Sequence, residues 1–249
     1  MPSEMTHFLR DILRQPKELR WTLEYLTGAG SGAIGKAAAA TRSARAVYLS
    51  GIGSSWHAAV NVAPMFQEAT RPVQLVEASE LLLFGELPAE SAMIVISRSG
   101  RSIEIVQLVE KAKRSGVKVI GITNAPDGTL AKEADFAIVV PVGMDHAISV
   151  NTYSTLAAAA GVLAQMAVNK FDAKDASELA VAVEEAGRAI DRAYLQMDLI
   201  PERRGHLFKL VLAQQSVVDE NTGQSVAHRA AHQSRGHCRV HAARKRAED

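Results

Sequence analysis

The chain has 249 residues, 28 Lys+Arg against 27 Asp+Glu, a net charge of +1 and 47% hydrophobic residues. That balance excludes an intrinsically disordered acidic or basic chain, and it provides no global field to draw nucleic acid or an anionic membrane. One cysteine, Cys238, excludes an intrachain disulfide framework and suits a reducing compartment. The first residues contain no apolar signal core, and no run reaches 18 apolar residues: the alanine-rich stretch near 155–168 is broken by Gln165. The expectation is a soluble cytoplasmic protein with neither nucleic acid nor membrane as partner.

In chain order, residues 4–27 place Phe8, Ile12, Leu13, Leu19, Leu23 and Leu26 near helical spacing. Gln15-Pro16 is expected to end one helix and start another. The glycines from 28 to 35 read as a flexible connection. From residue 45 short β-rich runs alternate with helical ones: strands at 46–53, 72–78, 92–97, 117–123 and 136–142, and helices at 54–70, 102–116, 128–135, 151–171 and 175–197. Apolar strands without alternation are buried on both faces, and single helices between them are crossover connections. The predicted fold is therefore α/β, a three-layer αβα sandwich with a five-stranded parallel sheet. The division read from the chain is an N-terminal helical segment over 1–40, the sheet domain over 41–172 and a C-terminal helix over 173–200. Residues 201–249 read as a poorly ordered basic tail or a truncated second domain. Their His/Arg/Ala/Gln bias departs abruptly from the body, as a shifted reading frame would make it. His237, Cys238 and His241 lie close together there, but their spacing matches no established zinc pattern, so no metal site is expected.

Two strand ends carry a high density of hydroxyls: Gly51-Ile52-Gly53-Ser54-Ser55, and Ser97-Arg98-Ser99-Gly100-Arg101-Ser102. Each follows an apolar strand and opens a helix. Ligands of open parallel sheets bind beyond the carboxyl ends of strands. Helix N-termini offer unpaired N–H groups to anions, and glycines permit close backbone approach. Two converging loops of this kind suit a phosphate monoester. The competing reading makes Ser54, Ser97 or Ser102 only a helix cap. A dinucleotide fingerprint fails because Trp56 stands where its third glycine belongs, and Glu77 alone supports it. No cofactor is implied.

These segments together resemble the sugar isomerase (SIS) domain family of phosphosugar isomerases and binding proteins, most of all the isomerase half of glucosamine-6-phosphate synthase. The resemblance runs over roughly residues 8–170, through IxxQPxxLRxTL (12–23), GIGSSWHA (51–58), VEASEL (76–81), ISRSGRS (96–102) and VNTYST (150–155). It implies that Ser55, Ser97, Arg98, Ser99 and Ser102 hold a sugar phosphate, with Ser54 alongside. The family usually has Gln or Asn at position 98 and Glu or Asp at 101, where this chain has arginine. Arg98 would strengthen anion binding; Arg101 would face solvent or pair with Glu104. A lysine of the synthase group is missing at Val150-Asn151-Thr152, and so is a second SIS domain carrying the catalytic groups. No catalytic residue is therefore carried over. His146, after the fifth strand, is the best placed local acid/base candidate, against a solvated loop residue as its other reading. His57, Glu77, Glu80 and Asp145 are weaker ones. The implied activity is aldose–ketose isomerisation of a hexose or hexosamine 6-phosphate, or phosphosugar sensing without turnover. Trp56 is expected in the core, Lys111, Lys113 and Arg114 on an exposed helix face. Apolar stripes on the N-terminal and 175–197 helices predict a homodimer.

Overall fold

The computed structural model describes residues 5–69, 72–146 and 148–199. Among these residues five strands, β1 (Val47–Gly51), β2 (Gln74–Leu75), β3 (Ala92–Ile96), β4 (Lys118–Thr123) and β5 (Phe136–Val139), form one all-parallel sheet in the order β2-β1-β3-β4-β5. Eight helices accompany them there: α1 (His7–Thr27), α2 (Ser31–Ser43), α3 (Ser54–Glu68), α4 (Ala78–Leu83), α5 (Ile103–Arg114), α6 (Thr129–Glu133), α7 (Asn151–Ala167) and α8 (Ala173–Leu199). The three-layer α/β reading holds, although β2 is much shorter than its apolar run. The chain separates into a compact unit through Ile190 and a second from Asp191, whose described part is the end of α8. The tail, with His237, Cys238 and His241, lies outside the described residues.

Period-two side-chain direction sorts the strands onto two cores. Val47, Leu49, Ile94, Ile96, Ile120 and Ile122 face α1, α2, α3 and α7, with Phe66, Leu156 and Leu163 among their buried neighbours. Tyr48, Met93, Val95 and Val119 face the other side, against Leu81, Ile105, Leu108 and Leu130 of α4, α5 and α6. Every residue of β1 and β3 is buried, which is why these strands read as continuous apolar runs. Trp56 packs against the first core, as expected.

Besides α4, a short helix absent from the sequence reading, three features depart from it. α1 continues through Pro16. A proline inside a helix removes one ladder bond, but Ile12 before it and Leu23 and Leu26 after it are buried along one continuous helix. Pro16 also packs at Gly187 of α8, where a Cβ would stand 3.1 Å from the proline Cβ. The glycine-rich connection folds as α2, whose Ile34, Ala37 and Ala38 are buried; burial outweighs the low helix propensity of Gly32 and Gly35. Finally, Lys111 is not on an exposed face. Its ammonium donates to the carbonyls of Leu81 (3.0 Å), Leu82 (2.8 Å) and Gly85 (2.6 Å), satisfying the end of α4. Lys113 and Arg114 do lie outward, the former paired with Glu133 at 2.7 Å.

Candidate functional site

β2 lies on one side of β1 and β3 on the other, so the chain reverses its direction of progress across the sheet between β1 and β3. Crevices in doubly wound sheets open at this switch point. Gly51 registers with Ile96, so the last residues of β1 and β3 are neighbours and the two serine loops leave the same edge side by side. Ser54, Ser55, Ser97, Arg98, Ser99 and Ser102 thus come from adjacent strand ends, a proximity that residue spacing alone cannot establish.

Glycine sets the geometry of each loop. A Cβ on Gly51 would lie 2.8 Å from the carbonyl carbon of Ser55, so only glycine lets α3 start hard against the strand. Gly100 has φ +60° and would carry a Cβ 2.9 Å from Leu130 Cβ. The second loop is pinned from the β4 side: Thr123 Oγ1 and the Asn124 N–H both donate to the Arg98 carbonyl, at 3.1 and 3.3 Å, and the Leu130 N–H donates to the Gly100 carbonyl at 3.1 Å.

Helix capping does not occupy the serines at the two helix starts. Ser54 is the first helical residue of α3, whose cap is Gly53, and no side chain caps that end. Ser102 occupies the cap position of α5 without making a side-chain cap bond. Ser97 is buried; its Oγ accepts from the Gly100 N–H at 3.1 Å, and Ser99 Oγ accepts from the Arg101 N–H at 3.3 Å. A hydroxyl that accepts a backbone N–H still has its own proton to donate. The first turns of α3 and α5 therefore have no side-chain cap and carry hydroxyl donors, although the Ser55 N–H donates to the Ile52 carbonyl at 3.1 Å.

The two arginines differ. Arg98 forms no ion pair among the described residues; its guanidinium reaches across the end of β4 to Ser149 Oγ at 3.3 Å. Arg101 pairs with Asp127, not with Glu104, and points away from a ligand role. Glu77 caps α4, accepting from the Ser79 N–H at 3.0 Å, and Glu80 and His57 are exposed. Asp145, considered an acid/base candidate, is instead the N-terminal anchor of α7. Its carboxylate accepts from the backbone N–H groups of Val150, Asn151 and Thr152 at 2.9–3.0 Å, from the Asn151 amide at 2.8 Å and from the Thr152 hydroxyl at 2.7 Å. Burial pushes its carboxyl up, but the Thr152 and Asn151 hydrogen bonds outweigh this and hold it below the usual carboxylate range. Thr152, in the stretch lacking the lysine, thus donates both its N–H and its hydroxyl proton to this carboxylate.

His146 has a partner that sequence reasoning missed. Asp11 of α1, fully buried, accepts from the His146 backbone N–H at 2.8 Å and lies 2.9 Å from His146 Nδ1. Arg14 adds hydrogen bonds to the carbonyls of Gly143 (3.1 Å) and Met144 (3.0 Å), strapping α1 to the loop after β5. The only sequence signal was an acid at position 11 on the apolar stripe that includes Ile12. Among the described residues no group of three or more His, Cys, Asp or Glu is arranged to hold a metal, and no described helix is long and apolar enough to cross a membrane.

The parallel sheet in the order β2-β1-β3-β4-β5, with helices on both faces and two hydroxyl-bearing loops at its switch point, defines a doubly wound α/β protein. Residues 41–186, more than half the chain, match the SIS domain family, and the chain belongs to that family. It is 30% identical over 152 residues to glutamine–fructose-6-phosphate aminotransferase (isomerizing) of Pyrobaculum aerophilum, covering 60% of this chain and 25% of that protein. The Bacillus subtilis enzyme of the same name is also 30% identical, over 170 residues, covering 66% and 28% respectively. The chain thus spans about a quarter of the length of these relatives. In fold it is similar to the C-terminal domain of glucosamine-fructose-6-phosphate aminotransferase from Francisella tularensis (TM-score 0.63, 18% identity, 79% of this chain and 57% of that one). It is also similar in fold to a glucosamine-6-phosphate deaminase from Thermotoga maritima (TM-score 0.59, 21% identity, 72% of this chain and 54% of that one).

Proposed function

We propose that the chain binds a sugar monophosphate, with the phosphate between the β1–α3 and β3–α5 loops, held by Ser55, Ser97, Arg98, Ser99 and Ser102 with Ser54 alongside. The observation that carries this reading is the adjacency of the two uncapped, hydroxyl-rich helix starts at the switch point. Arg98 supports it as a cation with no acidic partner among the described residues. The proposed activity is aldose–ketose isomerisation of a hexose or hexosamine 6-phosphate, in line with the isomerising relatives. A second reading, binding without turnover, is favoured by one observation: the stretch Val150-Asn151-Thr152 carries no lysine.

A thermal-shift screen of hexose, hexosamine and pentose phosphates, followed by turnover assays on the hits, tests both. A ligand at 100 times its Kd adds about 2.7 kcal/mol, or a rise in Tm of roughly 5–10 °C for a domain of this size. The free sugars are expected to give no shift. No response to any sugar phosphate would end the proposal, whereas binding without turnover would select the second reading.

We also propose a homodimer in the cytoplasm, the compartment that a single cysteine suits. Trp21 of α1 is 52% exposed and Val181 of α8 is 53% exposed, large apolar side chains on the two helices that the Arg20–Glu184 pair joins. Light scattering at micromolar concentration is expected to give twice the monomer mass; a clean monomer refutes the dimer.

A further inference from the structure

We propose that Arg98 selects a sugar phosphate that carries a second anionic group remote from its phosphate; this rests on the sugar phosphate reading above and narrows it. The backbone at Arg98 is fixed from β4, since Thr123 Oγ1 and the Asn124 N–H both donate to its carbonyl. The root of the side chain is therefore located beside Ser97 and Ser99. Its far end lies elsewhere: Nη1 donates to Ser149 Oγ at 3.3 Å, which carries the guanidinium over the end of β4 to the loop between β5 and α7. β3 and β5 have β4 alone between them, two ladder spacings or about 10 Å. The serine hydroxyls and the arginine charge thus address two separate positions along the carboxyl edge of the sheet.

Acids on the surrounding elements are engaged elsewhere. Asp127 pairs with Arg101, and Asp11 and Glu18 pair with Arg14 at 3.7 and 3.2 Å. Asp145 accepts from the start of α7. Arg98 is left without a counter-ion among the described residues, at a partly buried position where water screens its charge less than at the open surface. A bound anion supplies that counter-ion. The guanidinium has five N–H donors in a planar fork, and Ser149 takes one of them. The rest match the oxygens of a carboxylate or a phosphate, whereas a sugar hydroxyl brings no charge to meet the arginine. A six-carbon chain with phosphate on one terminal carbon and a carboxylate or second phosphate on the other presents one anion to each of the two positions. The ligand class is therefore a phosphosugar with two anionic ends.

Calorimetric Kd values at low ionic strength test this, with 6-phosphogluconate set against glucose 6-phosphate and fructose 1,6-bisphosphate against fructose 6-phosphate. Neither two-anion probe can undergo aldose–ketose isomerisation at C1, so the measurement reports binding alone. The wild-type protein is expected to bind at least one of them about 10- to 100-fold more tightly than its monophosphate counterpart. A preference for 6-phosphogluconate alone assigns the second group as a carboxylate; a preference for both assigns it by charge. In Arg98→Gln the ratio of the paired Kd values should fall to near unity. Arg98→Lys, which keeps the charge without the fork, should retain part of it. The ratio is the readout because losing Arg98 also weakens binding of the phosphate itself. Equal affinity of the wild type for one-anion and two-anion ligands, or a preference that survives in Arg98→Gln, overturns the assignment while leaving the phosphate site in place. Failure of the wild type to bind any of the four ligands removes the reading beneath it. Arg98 is only partly buried and its side chain makes one hydrogen bond, so its replacement leaves the core intact.

Discussion

Replacing Ser97 and Ser99 together by alanine is expected to lower sugar phosphate affinity by about 10²- to 10⁴-fold while leaving far-UV circular dichroism unchanged. A hydrogen bond to a charged group contributes about 1.5–3 kcal/mol, so two hydroxyl donors to a dianion account for about 3–6 kcal/mol. The structural cost is smaller and falls on one of the two serines. Ser97 is buried and receives the Gly100 N–H, so its loss leaves that donor unmatched, at about 1–3 kcal/mol of stability. Ser99 is only partly buried and receives the Arg101 N–H over a longer 3.3 Å bond, so its replacement should barely move the unfolding midpoint. The loop should hold its course in both cases, because Thr123, Asn124 and Leu130 fix its backbone. Isothermal calorimetry with the strongest ligand from the screen measures the effect. Retained affinity in the double variant would move the phosphate elsewhere on the molecule.

Asp145→Asn should cost about 2–4 kcal/mol of folding stability, measured by urea denaturation at neutral pH. An amide in this place can accept with one oxygen only, and its NH₂ would meet N–H and hydroxyl donors of Val150, Asn151 and Thr152. The same group gives the wild type an acid limb. Hydrogen bonds lower the native value of Asp145 below that of the unfolded chain. Its contribution is therefore fully present above the ordinary aspartate value of about 3.9 and is lost as pH falls through the lower native value. Wild-type stability should drop below about pH 4, and Asp145→Asn should show a flatter dependence in that window. A variant as stable as the wild type at pH 7, or an unchanged acid limb, would show that the cap contributes little. Because α7 packs on α1, α2 and α3, loosening its start should also disturb the His146 loop.

Much of this site is legible in the chain itself. Gly51 and Gly53 after one apolar run, Gly100 inside another strand-end loop and five serines across the two announce two hydroxyl-bearing helix starts. The order of the loops along the chain, with VEASEL and VNTYST, identifies the family. What the linear pattern does not contain is pairing. Arg101 has Glu104 one helical turn away, yet it meets Asp127 from the β4–α6 loop, because that loop closes over the β3–α5 turn. Lys111 reads as one more charge on a polar helix face, yet it ends α4, a helix with too few residues for its own periodicity to stand out. Pro16 and the glycines before α2 signal breaks by local propensity, and packing on the sheet overrides them.

Taken by itself, the order of residues determined a parallel α/β domain, its apolar strands and the two hydroxyl-bearing loops, because hydrophobic periodicity and glycine punctuation are local properties. Tertiary structure alone decided that the two loops are neighbours, through the β1–β3 pairing of Gly51 with Ile96. It alone brought Asp11 against His146 across 135 positions of chain. Such pairings are made when distant segments bury their apolar faces against a common sheet, and side chains at the edges of those faces meet only as a consequence.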